Sequence, residues 1–344
     1  MDLRAYIGRR LLLLIPTALG AVLILFFLLQ FLTPVERAVA FAQSPKEFAH
    51  LDQIIDKYHL DDPMHIQLYQ WLSSLAHGNL GWSQVANKPV IDTFIEHVPV
   101  TLELFMFAAP ITIIAAIKMG VASAVHHNDK VDHATRFGSI VGYAMPNFWL
   151  GLLLLWVGYG IISGFLPPTR LSNSIDTYVN SMEFIRYTRL NTIDAILNLD
   201  LRVFMDALRH LILPVTTLVV SSWALITRIT RSSMLNVLRR GFITTARAKG
   251  LEDDKVINKH ARRNALIPVV TVAGYLIIFL ILGSFIVETI FVFPGIGWFF
   301  VTAAQQYDYA VIIGYTLIFA IIILIVNLVV DILYAYVDPR VRLG

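Results

Sequence analysis

The chain has 344 residues, 57% hydrophobic and only 15% charged, with a mean hydropathy of +0.67. Soluble domains carry about 25% charged residues, so most of this surface is not built to face water. The absence of cysteine excludes disulfides, thiolate metal sites and cysteine nucleophiles, while a net charge of +3 leaves nucleic acid or a membrane surface to explain the basic excess.

Taken in chain order, charge-free apolar runs recur at membrane length. The first, Leu11 to Leu32, has 22 residues. At about 1.5 Å per residue it crosses a hydrocarbon core of about 30 Å, and it is too long for the apolar region of a cleavable signal. Residues 33–98 follow, with 8 acidic against 4 basic residues. Leu51, Ile54, Ile55 and Tyr58, then Ile66, Tyr69 and Leu72, fall at helical spacing there, which predicts a small subdomain of short helices.

Further spans are predicted over 99–126, 137–169, 210–227, 264–287 and 309–330. Residues 289–307 are uncharged too, but Phe293-Pro294-Gly295-Ile296-Gly297 is a poor continuous helix. They read as an outer loop or re-entrant hairpin. The expected fold is therefore all-α and polytopic, with about six spans and a small helical extracytoplasmic subdomain. Its divisions are residues 1–32 (tail and first span), 33–98 (subdomain) and 99–344 (core), the last containing an inner loop, 228–264, and an outer loop, 288–309.

Six spans leave both termini on one side. Segments 1–10, 126–138, 228–264 and 337–344 hold 17 Lys and Arg, against 8 in the twice-longer segments 33–98, 166–208 and 288–309. Basic residues mark the cytoplasmic side, so both termini are expected there. Sorting of charge across a bilayer explains the high pI without nucleic acid.

No phosphate-binding G-x-x-x-x-G-K-[ST] loop and no nucleophile–base pairing are present, so an enzyme is not expected. His126-His127 sit in a short loop and read as solvated. Lys118 lies near the inner end of the second span, where a lysine snorkels to the headgroups. Glu103 sits near the outer end of the same span and reads as structural. No span carries carboxylates or histidines in series, nor is an inverted repeat visible, which counts against a stand-alone secondary carrier.

The inner stretch 228–264 is the most informative. It contains Thr244-Thr245-Ala246-Arg247-Ala248-Lys249-Gly250-Leu251, then a short polar helix expected over Glu252 to His260, then Asn264-Ala265 and Pro268 at the next span. Ala246 and Gly250 are four apart, and small residues on one helix face allow another protein close approach. A docking element is predicted.

That string resembles the "EAA" loop of binding-protein-dependent ABC permeases, in the variant of the B-type dipeptide/oligopeptide permeases. The resemblance runs along the chain: Arg9-Arg10-Leu11 to Ile15-Pro16-Thr17, Gly78-Asn79-Leu80-Gly81-Trp82-Ser83, Pro146-Asn147-Phe148-Trp149, Arg209-His210-Leu211-Ile212-Leu213-Pro214, Glu288-Thr289-Ile290-Phe291 with Pro294-Gly295-Ile296-Gly297, and Asp331 to Tyr334 with Asp338 to Arg342. Two outer sites depart from the pattern. Thr33-Pro34-Val35-Glu36 stands for Pro-Gly-Asp-Pro, and Tyr307-Asp308-Tyr309-Ala310 for Arg-Asp-Tyr-Pro. Thr244 stands where the general loop has its Glu.

The resemblance implies a type I ABC importer permease fold in a prokaryotic inner membrane. It implies a second, homologous permease subunit, two ATP-binding subunits that hold ATP and Mg, and an extracytoplasmic solute-binding protein; this chain itself is expected to bind no cofactor or metal. Thr244, Thr245, Ala246, Arg247, Ala248, Lys249, Gly250, Leu251, Glu252 and Lys255 become the expected ATPase-coupling residues. Arg247, Lys249 and Lys255 would pair with acids on the ATPase rim or with lipid headgroups. Pro294, Gly295 and Gly297 become residues of an outer loop beside the pathway. Di- or oligopeptides are the implied solute, with oligosaccharides, nickel and cationic peptides as alternatives.

Overall fold

The computed structural model describes residues 3–42, 45–161 and 166–337. The run Asp338 to Arg342 and the C-terminal part of the predicted inner tail lie outside these residues. Four helices are long and apolar enough to cross a membrane, and two further spans are bent pairs of helices, which makes up to six. Among the described residues the only sheet is a two-residue hairpin, β1 (Trp82–Ser83) with β2 (Lys88–Pro89), paired antiparallel. The chain divides into two compact units.

One unit holds residues 7–101 and 294–325. It begins with α1 (Leu3–Leu29), followed by the short helices α2 (Pro34–Phe41), α3 (Pro45–Phe48), α4 (Leu51–Tyr58) and α5 (Met64–Ala76). Of the helical spacing read in 51–72, Ile54 and Ile55 are buried and close on Phe26 and Leu29 of α1 together with Leu60 and Trp71, whereas Tyr69 is exposed because α5 turns Gln67 and Trp71 inward instead. The Thr33–Glu36 departure is a helix start. Thr33 and Glu36 form a reciprocal capping box, with Pro34 at the first position where its missing N–H costs nothing. The backbone N–H of Thr33, then its hydroxyl, hold the Glu36 carboxyl below the usual glutamate range.

The other unit centres on residues 102–293. α6 (Val90–Val125) begins nine residues before the predicted span. α7 (Lys130–Ala144) and α8 (Asn147–Leu155, continuing as a π-helix to Ile161) replace the single predicted span 137–169. They meet at 102°, because Pro146 removes a backbone donor and drives Met145 out of helical geometry to ψ 123°.

Two short helices, α9 (Asn173–Val179) and α10 (Asn191–Leu197), precede α11 (Leu201–Leu238). Asp200 caps α11 by accepting from the N–H groups of Arg202 and Val203. α11 is the hub, packed on α7, α8, α10 and α15 (Ile267–Ile290), with α12 (Gly241–Ala248), α13 (Asp253–Lys255) and α14 (Arg262–Ala265) introduced between them. A π-helix, Val256–Ala261, joins α13 to α14, and the segment 253–265 meets 267–278 at 56°.

Residues 289–307 are not a seventh span. Their one helix, α16 (Ile296–Gln305), has 10 residues, too few to cross. It is followed by α17 (Tyr309–Val337). Residues 294–325 group with residues 7–101, whereas the rest of α17 from residue 326 groups with 102–293. Ile296, Phe299 and Ala303 pack on Val90 and Phe94, and the buried Asp308 carboxylate accepts from the Ser83 hydroxyl at 2.8 Å and the Val85 N–H at 3.1 Å. Within the second departing stretch, the aspartate that the pattern keeps, Asp308, is thus a structural carboxylate. A charge buried this way is tolerated because each oxygen finds donors.

Candidate coupling site

The segment 241–265 is an exposed hairpin of short helices standing on a small apolar cluster. Ile243 and Ala246 from α12, Val256 and Ala261 from the π-helix and Ala265 from α14 are buried against Met234 and Val237 of α11 and Ala124 of α6. The Ser233 hydroxyl donates to the Ala265 carbonyl at 2.8 Å and ties α11 to α14. The expected helix from Glu252 to His260 exists, starting at Asp253 and running on as π-helix.

Ala246 and Gly250 do not present one face to a partner. Ala246 turns inward and is 8% exposed, because α12 needs it and Ile243 to cover the end of α11. Gly250 lies beyond the helix at φ +77°. Its N–H donates to the Arg247 carbonyl, and the Leu251 N–H reaches back to the Ala246 carbonyl. That is a glycine helix stop, which reverses the chain between α12 and α13. An added Cβ at Gly250 would meet nothing within 4 Å, so the demand for glycine is conformational.

Two of the predicted rim cations are paired within the hairpin itself. Arg247 Nε lies 3.1 Å from Asp253, and Lys255 Nζ lies 2.9 Å from Glu252. Both pairs are solvent-exposed and worth at most about 1 kcal/mol each, so a partner can compete for either member. Thr244, Thr245, Ala248, Lys249 and Leu251 are exposed on the outer side of the hairpin. Ten predicted residues thus form one continuous element, with Ala246 as its foot.

Below the hairpin is a brace without a local sequence signal. Asp132 of α7 is fully buried and takes a two-pronged contact from Arg231 of α11, with Nε at 2.6 Å and Nη2 at 2.7 Å. Ser123 of α6 donates to the same carboxylate, and so does the Asn128 N–H at 3.0 Å. Every lone-pair direction of this anion is used, which is what keeps it charged inside. Three helices are locked together where α11 leads into the hairpin. The partners lie 99 residues apart, so spacing alone gave no hint of the pair.

At the other end of the unit, Glu103 is 1% exposed. It accepts from Arg170 at 2.7 Å and from the Thr192 N–H and hydroxyl at 2.7 and 2.9 Å, joining α6 to the loop before α9 and to the first turn of α10. Its structural reading holds. Lys118 is exposed. Of the outer-loop residues, Pro294 is exposed while Gly295 and Gly297 are buried, and the Ile296 N–H between them donates to the Thr101 hydroxyl at 2.9 Å.

Four helices of membrane length and two bent helix pairs, with an exposed helical hairpin packed on α6 and α11, define a multi-pass membrane protein. Residues 108–343 match the family of binding-protein-dependent transport system inner membrane components, and the chain belongs to that family. It is 38% identical to the oligopeptide transport system permease protein AppB of Bacillus subtilis (strain 168) over 339 residues, 98% of this chain and 99% of that protein. It is 37% identical to the dipeptide transport system permease protein DppB of Alkalihalophilus pseudofirmus, with 98% and 99% covered. Similarity to the DppB protein of Escherichia coli (strain K12) is also 37%, covering 98% of each. The chain is a membrane-spanning permease subunit of an ABC transport system.

Proposed function

We propose that this subunit forms half of the translocation pathway of an ATP-driven importer of di- or oligopeptides. A second, homologous permease forms the other half. Two ATP-binding subunits hold the ATP and Mg, one of them seated on 244–260 of this chain, and an extracytoplasmic solute-binding protein delivers the peptide. The hairpin and both termini face the cytoplasm, as the basic residues concentrated in 228–264 require.

The observation that carries this reading is the near full-length similarity to three permeases named for peptide transport, over 98% of the chain. The hairpin supplies the mechanics. ATP-driven closure of the partner subunits moves α12 and α13; the apolar cluster and the Asp132–Arg231 brace make that displacement a rigid movement of α6, α7 and α11.

Gentle extraction of the chain from its native membrane, with mass spectrometry of everything retained, tests the proposal. Two ATPase subunits, a second permease and a bound peptide are the expected companions. If the chain emerges alone and crosslinkers placed at 247–252 capture no ATPase, the coupling role is wrong. Retained sugar or metal in place of peptide would refute the solute class only.

A further inference from the structure

A groove of about 740 Å³ runs along the half of α11 farther from the coupling hairpin. Arg202, Met205, Arg209 and Ile212 fall at helical spacing on one face of α11 and form one wall, while Phe107 and Ile111 of α6 form the other. From Arg202 to Val215 it is about 20 Å long. Both walls are held in place. Glu103, one turn before Phe107, is tied to Arg170 and Thr192, and the Asp206 carboxylate accepts from the Ser172 N–H at 2.8 Å. The space therefore exists before anything fills it.

The polarity of the groove is graded along the membrane normal. The sequence places a hydrocarbon boundary near residue 210, so Ile212, Val215, Phe107 and Ile111 lie in the apolar layer. Arg209 stands at its edge. Helical side chains lean toward the helix start, so Arg209 reaches out of the hydrocarbon into the headgroups. Arg202 lies two turns farther out, its guanidinium carbon 5.5 Å from the centre of the Tyr178 ring of α9. The lining carries two arginines and one acid, Asp206, whose carboxylate is turned to Ser172 and to His210 Nε2 at 3.6 Å. Asp200 meets Arg202 only in an exposed contact at 3.3 Å, which is weak in water. A surplus of one positive charge above an apolar trough has the order of groups of a phospholipid: anionic phosphate, then acyl chain. A partner helix fits less well. A helix of the same length and about 10 Å across takes up about 1,600 Å³, so it could only rest on the mouth.

We propose that this groove holds one phospholipid of the leaflet farther from the hairpin, with its phosphate on Arg209 and an acyl chain along Ile212, Phe107 and Ile111. Arginine suits the phosphate because its planar donors make two contacts to one anion. Arg202 adds to the field that draws the headgroup in. The chain fills the gap between α6 and α11, which side chains leave open there. The site goes beyond the transport reading and holds whichever solute is carried.

The test places the assembled transporter in nanodiscs of phosphatidylcholine with a minor fraction of phosphatidylglycerol that carries a photoactivatable diazirine midway along one acyl chain. After illumination, mass spectrometry locates the adducts. Ile321, Ile325 and Val329, exposed on one stretch of α17, report ordinary contact with the bilayer. Adducts at Phe107, Ile111 and Ile212 should exceed that reference about fivefold, the worth of one basic residue at an anionic lipid surface. Arg209→Gln should remove most of the excess. Ile212→Trp narrows the groove without touching a charge and should lower the adducts at Phe107 and Ile111, which keeps the test decisive if Arg209→Gln fails to assemble. Unlabelled phosphatidylglycerol should compete, and inorganic phosphate should not. Adducts no more frequent than on α17, an excess unchanged by both substitutions, or displacement by inorganic phosphate would each overturn the proposal. So would cross-links from a benzophenone at position 212 to the second permease in place of lipid adducts, which would make the groove a subunit contact.

Discussion

Gly250 shows how one residue serves a large machine. Its φ of +77° costs an L-residue about 1–2 kcal/mol, and asparagine less than most. The site is open, so Gly250→Leu disturbs the chain reversal without a clash. The expected result is normal membrane insertion with uptake reduced at least tenfold, while Gly250→Asn retains most of the uptake. Measuring transport and ATPase activity together in proteoliposomes checks this. Equal uptake by Leu and glycine variants would mean that the turn carries no coupling. Arg247 and Lys255 give the opposite lesson. Their basic character is plain in the sequence, but their acids lie on the same hairpin, so they are held in place before any partner arrives.

At the scale of elements, the contact of α6 with α11 sets how motion spreads. A Cβ at Gly120 would lie 2.6 Å from Thr230 Cβ and 2.8 Å from the Thr227 carbonyl. The latter is backbone and cannot yield, so the helices must separate. Gly120→Leu is therefore expected to destabilise the unit by about 2 kcal/mol or more, in the range of overpacking. Thermal melting of the detergent-solubilised complex should fall, and Gly120→Ala should fall less. An unchanged melting temperature for the Leu variant would show that this contact is not tight in the assembled protein. The α7–α8 bend is a second such element. One proline redirects a segment that hydropathy treats as a single crossing, and Asn147 stands just after it.

For the whole molecule, topology is the testable property. The six-span reading predicts that the segments rich in Lys and Arg and the loop at 294–297 lie on opposite sides of the bilayer. Single cysteines replacing Pro294, which is exposed, and Lys249 on the hairpin are expected to react with a membrane-impermeant maleimide from the outer and inner faces respectively. Labelling of both from one side would overturn the six-span arrangement. The two stretches that depart from the family pattern, 33–36 and 307–310, belong to one compact unit. The Tyr309 hydroxyl reaches Glu36 at 3.3 Å.

The sequence by itself determined the membrane class, the approximate position of the spans, the failure of 289–307 to cross and the location of the docking hairpin. These follow from local quantities: unbroken apolar length, the sorting of basic residues, and the Pro and Gly that end helices. The subdomain face at Ile54 and Ile55 was legible from helical period, but the period read through Tyr69 missed the buried Trp71. Tertiary structure decided the rest. Ala246 reads from the sequence as a contact for a partner, but it is buried over Met234 and Val237 of α11. Asp132 finds Arg231, and Glu103 finds Arg170 and Thr192, across 99, 67 and 89 residues. The close approach of Gly120 to Thr230 exists only once α6 and α11 pack together. Burial and partnership are properties of the space between helices, and no local pattern encodes what lies across that space.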